Sequence, residues 1–211
     1  AVTWADEHIP AILQGWYPGA QGGKAIAKVL FGDKNPEGRL PVTFYRSTQE
    51  LPEFTDYSMK GRTYRYMENE ALYPFGYGLS YTDFTYDNVK VSSEQVKEEG
   101  ITVSAVLTNT GNLEGTETVQ VYVKADREGT PNPQLKGIRK VSLKPGESKE
   151  ITVTLPASAF ALYDEQAVYR VSEGNYLVYI GGSQPDSRSE KLTGKKLAPL
   201  VVKAEQELIL E

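Results

Sequence analysis

Cysteine is absent from this chain of 211 residues, which removes disulfides, thiolate nucleophiles and Cys-based zinc sites together and fits any redox compartment. Histidine is nearly absent, and the single His8 cannot assemble a metal cluster alone. No run approaches the roughly 20 apolar residues that a membrane-spanning helix needs, so no membrane partner is implied. An excess of one charge is also missing. Acidic and basic residues are interleaved and sum to −5, which argues against a polyanion-binding surface and gives no basis for a nucleic-acid partner. The opening Ala1-Val2-Thr3-Trp4 shows no basic-then-apolar signal peptide. It also lacks Met, so the compartment, cytoplasmic or secreted, stays open.

What is present is ordinary in bulk: 39% apolar and 24% charged residues, suited to one large or two small globular domains. The pattern divides the chain. Residues 9–16 form a short apolar run ending at Tyr17-Pro18-Gly19, which predicts a buried strand entering a turn. A helix is expected next, because Ala25, Ile26, Val29 and Leu30 share one helical face while Lys24 and Lys28 lie elsewhere. Gly32 stands where a left-handed cap would end it. After the turn Asn35-Pro36-Glu37-Gly38, residues 40–44 read as a second strand. This β-turn-α-turn-β order is that of a parallel sheet with a crossover helix. Two strands and one helix cannot cover both faces of such a sheet, so residues 1–81 read as the remnant of a larger α/β domain.

Residues 45–81 are rich in aromatics and lack a clear period. Tyr45, Phe54, Tyr57, Tyr64, Tyr66, Tyr73, Phe75, Tyr77 and Tyr81 fall here. Tyrosine buries a large ring and keeps a polar tip, which suits an ordered connector packed between domains. Standing alone, it would leave an apolar patch open to self-association, hence to a homo-oligomer. From residue 82 the texture changes to short alternating strands, expected at 84–91, 101–109, 117–124, 138–143, 150–155, 167–171 and 176–180. The separators include Asn109-Thr110-Gly111-Asn112 and Lys144-Pro145-Gly146-Glu147. Seven such strands predict an all-β immunoglobulin-like sandwich over 82–211, with a C-terminal extension. Without a Cys–Trp–Cys pattern, fibronectin type III-like is the better description.

Several motifs carry a family resemblance. Gly15-Trp16-Tyr17-Pro18-Gly19-Ala20-Gln21-Gly22-Gly23 through Gly32-Asp33, then Asn35-Pro36-Glu37-Gly38-Arg39-Leu40-Pro41-Val42-Thr43-Phe44, resembles the end of the α/β-sandwich domain of glycoside hydrolase family 3, the β-glucosidases and β-xylosidases. Tyr73-Pro74-Phe75-Gly76-Tyr77-Gly78-Leu79-Ser80-Tyr81, Val106-Leu107-Thr108-Asn109-Thr110-Gly111, Val119-Gln120-Val121-Tyr122-Val123 and Gly174-Asn175-Tyr176-Leu177-Val178-Tyr179-Ile180-Gly181 are similar to its connector and C-terminal sandwich. Residues 56–59 and 61–66 look like the β-xylosidase branch.

The resemblance implies a retaining mechanism on a β-linked oligosaccharide or glycoside, with an aspartate nucleophile and a glutamate acid/base about 5 Å apart. It places the nucleophile in an N-terminal barrel and the glutamate upstream of Trp16, so the chain reads as a C-terminal part whose partner is that barrel. No catalytic residue is assigned. Glu7, Glu37, Glu53, Asp56 and Glu68 match no catalytic motif and read as solvated charges. Gly19, Gly22 and Gly23 before a helix fit tight-turn packing better than a phosphate cradle, since no GxGxxG is present. Trp16 and Tyr17 either stack on a pyranose or fill a strand end. Arg62 and Arg65 either contact substrate or barrel, or pair with nearby acids. No metal or organic cofactor is implied. The reading from a different class is a free-standing carbohydrate-binding or adhesion module, which a β-sandwich also supports.

Overall fold

The computed structural model describes residues 1–210. Its strands run β1 (Phe84–Val91), β2 (Ile101–Asn109), β3 (Gly115–Ala125), β4 (Gln134–Leu143), β5 (Ser148–Leu155), β6 (Leu162–Tyr163), β7 (Tyr169–Val171), β8 (Gly174–Gly181), β9 (Leu200–Ala204) and β10 (Leu208–Ile209). β1, β2 and β5 form one antiparallel sheet in the order β1-β2-β5, and the facing sheet has the order β4-β3-β8-β9. A third, small sheet, β10-β7-β6, closes one side. This is the expected sandwich, and each of the seven expected strands is found within a few residues.

Alternation of side chains builds the core. On β5, Ile151, Val153 and Leu155 point inward between exposed Glu150, Thr152 and Thr154. Val103, Ala105 and Leu107 of β2 do the same, and Val119, Val121 and Val123 of β3 meet them from the other sheet, as the period of two in a strand dictates. Gly137 on β4 stands beside a register shift at Val121/Tyr122, and a Cβ there would lie 2.5 Å from Val153 Cγ1. The residues expected as an extension supply elements of their own. Helix α4 (Ser187–Thr193) starts with the Asp186 carboxylate accepting from Ser189 N at 2.6 Å, and β9 then pairs along β8.

Residues 1–81 hold little regular structure: α1 (Thr3–His8), α2 (Gly22–Leu30), α3 (Thr63–Tyr66) and a 3-10 turn at Thr48–Glu50. Helix α2 and its stop at Gly32, with φ of 80°, match the expectation. The strands expected at 9–16 and 40–44 do not. Residues 9–16 are extended coil with exposed side chains. No strand lies beside them, and a strand exists only through its ladder.

Residues 40–44 find a different neighbour. Leu40 N donates to Tyr77 O at 2.9 Å, Gly76 N to Leu40 O at 2.8 Å and Phe44 N to Tyr73 O at 2.9 Å. This segment therefore runs antiparallel to the connector, with a single bridge at Phe44 and Tyr73, and not parallel to residues 9–16. The apolar stripe of α2 is only partly covered: Ile26 and Val29 are half-buried, and Leu30 is 65% exposed.

Candidate functional site

The chain enters the first candidate region under backbone strain. Trp16 has φ of 52° and Thr63, next to Arg62, has φ of 54°. Left-handed conformations are costly for residues with a Cβ, and they cluster where a side chain must be held in place. At Trp16 the consequence is a ring turned back to lie 6.3 Å from Phe44 at 54°, with 48% of the residue exposed. Tyr17 points outward and is 99% exposed. Gly22 lets α2 begin tightly against this turn, since a Cβ there would lie 2.3 Å from Pro18 Cβ.

Arg62 organises the second region. Its Nε donates to Ser58 O at 2.9 Å, and its Nη2 donates to Glu53 O at 3.3 Å and to Asp56 O. The guanidinium thus ties the 53–58 loop together through backbone carbonyls. The tied loop presents Phe54 at 95% and Tyr57 at 91% exposure. Arg65 lies against Tyr64, its guanidinium carbon 6.0 Å from the ring centroid, and Tyr64 stacks on Phe75 with centroids 4.1 Å apart. Among the described residues, no hydrogen bond or ring contact links Trp16 or Tyr17 to Arg62 or Arg65. The four residues singled out by the sequence are held by different local structure, Trp16 and Tyr17 by the turn before α2 and Arg62 and Arg65 by the segment 53–66.

Two of the carboxylates named from the sequence, Asp56 and Glu37, have their ionised form favoured. Asp56 is held below the usual carboxylate range by the Ser58 backbone N–H, which donates to Oδ1 at 2.8 Å, and further by Arg62. Glu37 is half-buried, not fully solvated. Burial pushes its carboxyl up, but Thr116 and the charges of Lys140, 3.4 Å away, and Lys34 outweigh this and hold it low. A general acid needs the opposite shift. The carboxyls pushed up are Glu117 and Asp186, both by burial. Asp186 caps α4, and Glu117 belongs to an interior ion pair. No group of three or more His, Asp or Glu able to hold a metal occurs among the described residues.

That ion pair lies in a polar seam between the two halves, which the sequence reading did not identify. Arg39 Nη2 meets Glu117 Oε2 at 2.9 Å, with the two side chains 8% and 6% exposed. Tyr86 OH donates to Glu117 Oε1 at 3.0 Å. On the outer face of β3, Gln120 Nε2 donates to Gly76 O at 2.9 Å and to Gly182 O at 2.8 Å. Further along, Asn132 Nδ2 donates to Tyr64 O at 3.1 Å and Met67 O at 2.9 Å. Phe75 meets Tyr122 edge-on, ring centroids 6.5 Å apart. The motif residues Arg39, Gly76, Gln120 and Tyr122 thus serve docking, each buried polar atom answering another.

An α/β remnant sealed by a tyrosine-rich connector onto a fibronectin type III-like sandwich is the class of protein that this fold defines. Residues 1–81 match the glycosyl hydrolase family 3 C-terminal domain, and residues 117–184 match the fibronectin type III-like domain. The chain belongs to glycoside hydrolase family 3 and corresponds to the C-terminal part of its relatives. It is 44% identical over 191 residues to a xylan 1,4-beta-xylosidase of Xylanibacter ruminicola, covering 89% of this chain and 22% of that protein. It is 40% identical over 196 residues to a periplasmic beta-glucosidase of Salmonella typhimurium, covering 86% of this chain and 26% of that protein. Among solved structures, beta-glucosidase 3B of Thermotoga neapolitana in complex with alpha-D-glucose superposes with a TM-score of 0.79 at 31% identity, covering 93% of this chain and 28% of that one. The chain therefore spans about a quarter of the length of the relatives that it matches.

Proposed function

We propose that this chain is the C-terminal part of a retaining β-glycosidase that removes terminal β-linked xylose or glucose from oligosaccharides, and that its own role is structural and pocket-completing. The observation that carries this reading is likeness along nearly the whole chain to a β-xylosidase and to β-glucosidases. The exposed apolar side chains of residues 1–81, among them Trp4, Phe31, Phe54 and Tyr57, support a surface made to be covered, since patches of this kind mark interfaces. In this reading the N-terminal barrel of the parent enzyme covers them and supplies the aspartate nucleophile, while the glutamate acid/base comes from the parent's chain upstream of Trp16. Left uncovered, the same surface draws two copies of the chain together. We divide the chain into an α/β unit with its connector, 1–81, and a sandwich with its extension, 82–211.

Substrate contact falls to Trp16 and Tyr17, which offer ring faces, and to Arg62 and Arg65, which offer cationic donors. The test is release of p-nitrophenol from aryl β-xyloside and β-glucoside. The 211-residue chain is expected to be inactive, and the chain joined to the N-terminal part of its parent active, with KM raised by W16A, Y17A, R62A or R65A. Turnover by the chain alone, abolished by replacing Glu7, Glu53, Asp56 or Glu68, overturns the reading.

A further inference from the structure

We propose that Arg39 and Glu117 form a register pin, a directional buried ion pair that selects one seating of residues 36–81 on the sandwich while adding little to its stability. Three observations carry this. First, the pair crosses between the two halves, and its charges are almost wholly withdrawn from water. Removing two charges from solvent costs about as much as their attraction returns, so an apolar pair of similar volume leaves the whole chain at least as stable while losing the directional contacts.

Second, the geometry is directional on every side. Arg39 places Nη2 on Glu117 Oε2 at 2.9 Å, Nη1 on Gly38 O at 3.0 Å and Nε on Gly182 O at 3.4 Å. A planar fork with three acceptors is satisfied in one orientation, which a Lys ammonium cannot reproduce. The pocket around the carboxylate is equally close. Gly182 backs it, where a Cβ would lie 2.2 Å from Glu117 Oε1, and Gly78 lies beside Arg39, where a Cβ would be 3.1 Å from Cδ.

Third, the remaining groups around Glu117 belong to the sandwich. Tyr86 comes from β1, and the charge of Lys195, which itself bonds Phe84 O at 2.9 Å, arrives from beyond α4. Arg39 is the one charged partner from the other half, so the pair reports whether that half is seated. The rings over β3, such as Phe75 on Tyr122, give area with little direction.

The experiment is hydrogen exchange on the 211-residue chain, read at the amides of Leu40 and Gly76, which bond across the 40–44 and 73–77 pairing. The amides of Val103 and Val121 in the sandwich core serve as the control. R39M/E117M is expected to melt at or above the parent temperature, with Leu40 and Gly76 exchanging at least tenfold faster and the core amides unchanged. R39K, which keeps the charge and loses the fork, is expected to show the same local loss. Unchanged protection at Leu40 and Gly76 in the double variant overturns the proposal. So does a lower melting temperature with loss of core protection, or R39K behaving as the parent. None of these readouts depends on glycosidase activity, so the pin and the proposed function fail separately.

Discussion

Tyr122 and Gln120 stand two residues apart on the outer face of β3, and the tyrosine hydroxyl donates to the amide oxygen of Gln120 at 2.6 Å. Both are fully buried. The contact leaves the Gln120 Nε2 free to serve two carbonyls, Gly76 O in the connector and Gly182 O in the sandwich. One side chain therefore bridges the two halves, and its neighbour fixes which way the amide faces. Burying a polar group without a partner costs roughly 1–3 kcal/mol. Y122F is expected to lose about 1–2 kcal/mol by orphaning one acceptor, and Q120A about 2–4 kcal/mol by orphaning the Gly76 carbonyl and the Tyr122 hydroxyl, while Gly182 O keeps Arg39 Nε. Urea denaturation checks the order, and equal losses would mean that the amide orientation is not set by Tyr122.

Two glycines with nearly the same backbone separate strain from collision. Gly76 has φ of 76° and Gly129 has φ of 75°. A Cβ at Gly129 meets nothing within 4 Å, whereas one at Gly76 lies 2.3 Å from Gln120 Oε1 and 2.5 Å from Tyr122 OH. G129A is expected to cost about 1–2 kcal/mol for the left-handed backbone alone. G76A is expected to cost well over twice that, because the seam itself must part. Melting temperatures of the two variants decide the matter, and similar shifts would refute the close approach of connector and β3.

Glu117 gives the seam a pH signature whose sign follows from burial. Desolvation raises its pKa above 4.5, and the charge of Arg39 and the hydrogen bond from Tyr86 only partly oppose this. The folded chain therefore binds a proton at this site in a window where the unfolded chain does not. By linkage its contribution to stability falls as pH rises through that window, from 4.5 to the raised value. Asp186 shifts in the same direction and is present in parent and variant alike. Urea melts of E117Q between about pH 4 and 7 are expected to lack this decline relative to the parent. An unchanged pH slope in E117Q would mean that the carboxylate titrates as it does in water.

Stability resides unevenly in the chain. Leu107 is fully buried in the sandwich core, and Leu30 on α2 is 65% exposed. Truncating a buried leucine costs about 2–5 kcal/mol once the cavity is counted. An exposed helical leucine changed to alanine stays within about 0.5 kcal/mol. Chemical denaturation of L107A and L30A is expected to show that contrast in the isolated chain. A large loss for L30A would mean that Leu30 itself lies within the surface by which two copies of the chain associate.

The sandwich was legible because each strand carries its own evidence: an alternation of period two, ended by turns such as Lys144-Pro145-Gly146-Glu147. Helix α2 was legible for the same local reason. Residues 40–44 misled, because an apolar β-branched run states that it wants a partner and not which one, and the partner is the connector at 73–77. The short strands β6 and β10, with two residues each, are too brief to show a period, and β9 lay in what read as an extension. At the candidate site the sequence singled out aromatic and cationic residues, yet not the local structure that holds each of them. The connector was expected to pack between domains, but the polar side chains that seat it on the sandwich were missed. Glu117, Gln120 and Tyr122 read as one strand of mixed polarity, and nothing in a one-dimensional pattern says that both of its faces are covered. The signal was present in Gly76, Gly78 and Gly182, three glycines at which the structure leaves no room for a side chain.

The chain carries two tryptophans, Trp4 on α1 and Trp16 in the strained turn, both in the first half and both largely open to solvent. Every indole emission thus comes from the unit that packs least. A fluorescence melt excited for tryptophan follows the loosening of that unit and passes over the collapse of the sandwich, whose interior aromatics include Phe84, Phe160 and Tyr176. The two halves can be watched separately without a label, the first by its indoles and the second by the chiral near-ultraviolet absorption of its buried phenols.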